Sequence, residues 1–75
     1  MEKDILIQFG ERIRSLRISN KLSQEELANK TGFHRTYIGL IERGQRNLSL
    51  RNIEVFSKYF NLTVNELMNF ENDKN

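Results

Sequence analysis

Apolar residues recur along this chain at the three-and-four spacing of an amphipathic helix, not at the alternating spacing of a strand. In the first segment Ile5, Phe9, Ile13 and Leu16 fall within one narrow arc at about 3.6 residues per turn. That stripe predicts a helix over about Asp4 to Ser19. Arg17 lies at its edge and Arg14 points away from it, while Ile7 and Ile18 fall off it.

The second helix has a full start signal. Ser23 can cap it, and Glu26, three residues later, can reach back to close a capping box. Leu22 and Leu27 stand where a hydrophobic staple would pack. Losing such a cap typically costs about 1 kcal/mol. The same grammar returns at Leu62, Thr63, Glu66 and Leu67 and marks a last helix that also holds Val64 and Met68.

Between these lie two more helices. Gly32-Phe33 reads as a short turn after Thr31, and a helix from about Arg35 to Glu42 or Arg43 follows, stopped by Gly44. Ser49 then caps a fourth helix, on which Leu50, Ile53, Phe56 and Phe60 share one face. Val55 and Tyr59 form a smaller apolar pair on another side. From Phe70 to residue 75 the chain turns polar and is expected to fray. The expected architecture is all-α, a single five-helix bundle over residues 1–75.

With no Cys and one His among 75 residues, neither a disulfide framework nor a zinc site is expected. No Gly-rich phosphate loop and no nucleophile–base pair stands out, so neither an enzyme nor a cofactor or small-molecule site is expected. There is no signal-peptide run and no apolar stretch of about 20 residues, so no membrane role is expected and the cytoplasm is the expected compartment. Net charge is only +2, but its distribution is uneven. Residues 34–51 hold Arg35, Arg43, Arg46 and Arg51 against Glu42 alone. Arginine's flat fork of donors suits phosphates and guanine edges better than solubility requires.

An eight-residue helix, a turn of about three residues and a second helix opening His34-Arg35-Thr36-Tyr37 have the spacing of a DNA-binding helix-turn-helix. In that motif the first helix spans the DNA backbone while the second projects its first-turn side chains into the major groove. Ile38 and Ile41 would hold the second helix to the core, leaving Arg35, Thr36 and Leu40 outward. Arginine can pair bidentately with guanine, and threonine offers a hydroxyl and a methyl. Tyr37 can read with ring and hydroxyl or be half buried. Gly39, in mid-helix, costs roughly 1 kcal/mol against alanine.

The stretch LSQEELANKTGFHRTYIGLIERGQRNLSL, residues 22–50, resembles the Cro/C1-type helix-turn-helix domain, also called the XRE family, which has the lambda repressor-like DNA-binding fold. HRTYI, IERGQRN and LSL together look like the controller proteins of restriction-modification systems. The resemblance implies a dimer on pseudo-palindromic duplex operators, with base reading at Arg35, Thr36 and Tyr37. Leu40, where the chain departs from the family pattern, is expected to read with them from its outward position. The resemblance implies backbone or groove-edge contacts at Gln24, Arg43 and Arg46, to which Asn47 and Ser49 can add, and Ser23, His34 and Arg51 are expected to contribute beside them. It also implies a structural ion pair between Arg17 and Glu42, and dimerisation through the C-terminal region. There Val55, Tyr59, Leu62, Val64, Leu67, Met68 and Phe70 exceed what a small core needs. Glu25 is a candidate contact for RNA polymerase, or simply complements the helix dipole. A phage-type repressor or stand-alone regulator is the alternative in the same class. An antitoxin or other protein-binding module of the same fold is the alternative outside it.

Overall fold

Side-chain caps set most of the helix starts. The structure, a computed structural model, describes residues 3–71. Asp4 accepts a hydrogen bond from Leu6 N at 2.8 Å and opens α1 (Ile5–Ser19). At α2 (Gln24–Thr31) the reciprocal box is complete: Ser23 Oγ accepts from Glu26 N at 3.0 Å, and Glu26 Oε1 accepts from Ser23 N at 2.8 Å. The third helix, α3 (Arg35–Glu42), starts differently, because His34 supplies extended backbone but no side-chain cap bond. Ser49 Oγ accepts from Asn52 N at 3.1 Å and opens α4 (Leu50–Tyr59). Thr63 and Glu66 repeat the full box at α5 (Val64–Leu67). Donation from the Ser23 and Thr63 backbone N–H groups, then from their hydroxyls, holds the Glu26 and Glu66 carboxyls below the ordinary glutamate value.

Two helices also end alike. Lys21 after α1 and Asn61 after α4 adopt left-handed φ angles of 59° and 57°. Leu22 N then donates back to Arg17 O at 3.1 Å, and Leu62 N to Ser57 O at 2.8 Å. In each case the next residue caps the following helix, so one stop-and-start unit serves twice. After α3 the left-handed position is Gly44, at φ 71°, with Gln45 N donating to Leu40 O at 2.9 Å. A Cβ on Gly44 would lie 2.8 Å from Ile7 Cγ1. Ile7, off the apolar stripe of α1, thus packs on the turn that ends α3.

The core gathers Phe9 and Ile13 from α1, Leu27 and Ala28 from α2, Ile38 and Ile41 from α3, Phe56 from α4 and Leu67 from α5. Phe9 and Phe56 meet edge to face at 6.3 Å, and Phe33 packs on Phe56 at 5.3 Å. All five expected helices are present and, among the described residues, there is no strand. Three details differ from expectation. Leu50, the first residue of α4, is 82% exposed because nothing covers that turn, and Leu48 in the preceding loop packs on the core instead. The last helix stops at Leu67, with Met68 as its C-cap. Phe70 does not fray: it packs half-buried against the core, and Phe70–Glu71 form a short 3₁₀ turn. The rest of the tail expected to fray, residues 72–75, lies outside the described residues.

Gly10 explains how closely α1 can approach the end of α3. A Cβ there would collide with Ile41 O and sit 3.0 Å from Glu42 O, both rigid backbone atoms. Gly10→Ala should therefore cost about 1–3 kcal/mol through overpacking. That corresponds to a fall of roughly 5–20 °C in melting temperature, followed by circular dichroism. An unchanged melting curve would mean that α1 can withdraw from α3 without penalty.

Candidate nucleic-acid interface

Burial fixes which way α3 faces. Ile38 and Ile41 are 0% and 1% exposed, so the inner side of the helix is sealed against the core. Arg35 and Thr36, on the first turn, are exposed, and His34 stands exposed just before them. The turn from α2 is anchored by Phe33, whose ring meets Tyr37 edge to face at 4.9 Å. The first turn of α3 is thereby presented to solvent on a rigid base.

The far end of α3 is tied down electrostatically. Arg17 grips Glu42 bidentately, with Nε to Oε2 at 2.7 Å and Nη2 to Oε1 at 3.1 Å. Arg17 Nη1 also donates to Leu22 O at 2.7 Å, and Gln24 Nε2 donates to Glu42 Oε1 at 3.1 Å. The Glu42 side chain is only 3% exposed. Its hydrogen bond, followed by its charge, raises the Arg17 pKa against the opposing effect of burial. The expected ion pair is present, and it joins α1, α2 and α3 at one point.

This pairing shapes the charge of the surface. Glu42 is the one acid within residues 34–51, and Arg17 answers it from α1. Among the described residues Arg35, Arg43, Arg46 and Arg51 form no ion pair. All four are exposed. Their charge is left available to an anionic partner.

Two of these arginines are held in place by neighbours. The Arg46 guanidinium lies 5.4 Å from the Tyr37 ring centroid, a cation–π distance. Tyr37 is half-buried, and its hydroxyl accepts from Asn52 Nδ2 at 2.9 Å. It therefore supports the surface at least as much as it projects from it. Arg43 Nε donates to Gln45 Oε1 at 3.3 Å, and its guanidinium lies over Gly39, where a Cβ would be 3.2 Å from Nη1. Gln24 Oε1 would be 3.8 Å from that same Cβ. The bare backbone of Gly39 thus seats two of the expected contact residues.

The other expected contacts vary in freedom. Asn47, Ser49 and Ser23 are exposed. However, the hydroxyl oxygens of Ser23 and Ser49 already accept as helix caps, and Ser23 N–H is engaged in its box. Leu40 is half-buried, offering an edge rather than a whole side chain. Toward the C-terminus Val55, Tyr59, Leu62, Met68 and Phe70 are half-buried and Val64 is 43% exposed. Leu67 is a correction: it is 0% exposed and belongs to the core of one chain, leaving no surface for a dimer contact.

Two functional supports were missed from the sequence. Asn52, which holds the Tyr37 hydroxyl, gives no local signal beyond lying three residues after its cap. Arg12 is 7% exposed, donating from Nε to Leu67 O at 3.1 Å and from Nη2 to Glu66 O at 2.9 Å. The signal was its spacing: three residues after Phe9 places it on the buried arc.

A family model described as helix-turn-helix matches residues 13–67. The chain is 45% identical over 71 residues to the control protein C.BamHI of Bacillus amyloliquefaciens, covering 93% of this chain and 88% of that protein. It resembles the crystal structure of the restriction-modification controller protein C.AhdI from Aeromonas hydrophila with a TM-score of 0.77 and 47% identity, over 83% of this chain and 94% of that one. It also resembles the restriction-modification controller protein C.Esp1396I, solved as a tetramer in complex with its natural 35 base-pair operator. That TM-score is 0.76 at 31% identity, over 89% of this chain and 92% of that one.

Removing Arg17 would leave the nearly dry Glu42 carboxyl without its arginine partner. Arg17→Met should cost about 3–5 kcal/mol in denaturant unfolding, whereas the double variant Arg17→Met, Glu42→Leu should recover most of that loss. Strictly additive losses would show that the two side chains do not depend on each other.

Proposed function

We propose a function from one premise: the chain belongs to the helix-turn-helix family, whose model spans residues 13–67. It is a sequence-specific, duplex-DNA-binding transcriptional regulator, the controller protein of a restriction-modification system, and acts as a homodimer. One observation carries this reading. The first turn of α3 exposes Arg35 and Thr36 while Ile38 and Ile41 beneath it are sealed in the core. A helix so held can enter the major groove without disturbing the fold. The identity to C.BamHI over 93% of the chain supports the controller assignment.

The roles divide by chemistry. Arg35 and Thr36 read base edges from the first turn, with Tyr37 and Leu40 at the margin. Arg43, Arg46 and Arg51, with Gln24, His34 and Asn47, lie along the phosphates, Ser23 stands beside them, and the capping hydroxyl of Ser49 keeps its proton for a phosphate oxygen. An eight-residue helix covers only a few base pairs, so useful specificity requires a second copy. The dimer places its two reading helices about 34 Å apart on one face of the DNA. Val55, Tyr59, Leu62, Val64 and Met68, with Phe70 beside them, supply the apolar face that joins the copies. The protein is a binding protein and not an enzyme, and it works in the cytoplasm, where its operator is. No helix among the described residues is long and apolar enough to cross a membrane.

Titration of the DNA just upstream of the protein's own gene, beside a scrambled duplex, tests the division of roles. Arg35→Ala should lose about 1–3 kcal/mol on the operator and relax preference at one base pair, with little change on scrambled DNA. Arg43→Ala should weaken both duplexes alike and lower the salt slope by about one unit. Equal losses of Arg35→Ala on the two duplexes would refute base reading. Glu25 is exposed on the first turn of α2 and is the proposed contact for RNA polymerase. Glu25→Lys should leave the footprint intact and abolish activation of transcription; activation that survives removes Glu25 from that role.

A further inference from the structure

We infer that Arg12 is a positioning residue that fixes the dimer face relative to the recognition helix, and so sets the half-site spacing the protein accepts. The inference rests on the dimer reading above. Arg12 lies in α1, yet its guanidinium donates to the carbonyls of Glu66 and Leu67, 54 and 55 positions away in the chain. Those carbonyls lie at the C-terminal end of α5, a helix of four residues, where Glu66 O also accepts from Asn69 N at 3.2 Å. A buried cation at the negative end of a helix makes strong, directional bonds there.

The geometry of α1 gives this contact its consequence. Gly10 and Arg12 are two residues apart, so they point about 200° apart around the helix. On the Gly10 side α1 rests against the Ile41 and Glu42 carbonyls of α3. On the Arg12 side it holds the end of α5. The first helix is therefore a strut with the reading helix on one flank and the dimer face on the other. Leu67 is the single buried side chain of α5, and Leu62, Met68 and Phe70 on either side of it pack half-buried on the core. Those apolar contacts carry little direction, and the two bonds from Arg12 supply it. In a two-fold dimer any pivot of α5 is doubled in the separation of the two reading helices.

The test uses the full chain carrying Arg12→Met or Arg12→Lys. Methionine keeps the apolar stem without the charge, and lysine keeps a charge able to reach one carbonyl. Binding is measured to a single half-site duplex, to the full operator, and to operators with one base pair added or removed at the centre. Sedimentation gives the oligomeric state of each protein. Half-site affinity should stay within about twofold of the unsubstituted protein, which reports an intact reading head. Affinity of Arg12→Met for the full operator should fall at least about tenfold, with the preference for natural spacing lost and Arg12→Lys intermediate.

Unchanged spacing preference in Arg12→Met overturns the inference. So do proportional losses on half-site and full operator, which would mean simple destabilisation. If Arg12→Met does not fold, Arg12→Lys decides: relaxed spacing with intact half-site binding supports the inference, and unchanged spacing overturns it. If the unsubstituted protein is a monomer that binds half-site and full operator alike, the dimer reading fails and takes the inference with it.

Discussion

A carboxylate at the C-terminal end of a helix, almost wholly removed from water, is unfavourable twice over. It meets the negative end of its own helix dipole, and it loses its hydration. Glu42 occupies such a position at the end of α3, and Arg17 with Gln24 makes it tolerable. Against an apolar pair of the same volume, a buried ion pair of this kind adds little net stability. Its value lies in directionality. The Glu42 oxygens accept from Arg17 and Gln24 while Arg17 Nη1 donates to Leu22 O, so α1, the turn after it, α2 and α3 meet in one arrangement only. Any other angle between α2 and α3 would strand a charge. The geometry of the helix-turn-helix is thus enforced by the cost of the alternatives.

The same node settles how a chain of net charge +2 presents a cationic face. Glu26 and Glu66 complete capping boxes, Glu11 pairs with Lys3, Glu54 pairs with Lys58, and Glu42 is taken by Arg17. These five acids are occupied, whereas Arg35, Arg43, Arg46 and Arg51 have no ion-pair partner among the described residues. The local field at α3 and its following loop is therefore set by the arginines, and total charge says little about it. Salt will screen that field, whereas the bidentate geometry of an arginine on a base edge survives screening better.

What could be read from the sequence was local in origin. Each cap is decided by residues within three positions of one another, so Ser23 with Glu26, Thr63 with Glu66, and Ser49 were all legible. The apolar faces were legible in mid-helix, where the period is well defined, and failed at helix ends. Leu50 shares the phase of Ile53 and Phe56 but lies beyond the reach of any covering element. Leu67 matched an apolar surface by composition, and only packing shows that it fills the core. Gly10 was silent because its partners at Ile41 and Glu42 lie far along the chain. Arg12 showed only its place on the buried arc, since its partners at Glu66 and Leu67 are equally remote. The pairing of Arg17 with Glu42, equally distant in sequence, was anticipated only through the family resemblance of the motif. No local pattern contains it.

Two glycines inside helices show where fold ends and surface begins. Both carry the same propensity cost of roughly 1 kcal/mol against alanine. At Gly10 a methyl group would meet backbone carbonyls that cannot move, so the packing of α1 on α3 demands glycine. At Gly39 a methyl group would meet the far end of the Arg43 side chain and little else, so the core makes no such demand. What the bare backbone supplies there is a shallow seat in which Arg43 lies across α3 beside Gln24. An arginine already laid along the helix loses less rotamer entropy on meeting a phosphate than one waving in solvent. Tyr37 does the same for Arg46, with Asn52 steadying the ring's hydroxyl. In a chain this small the arginine-rich surface is organised in advance by its immediate neighbours, because no second domain among the described residues is there to do it.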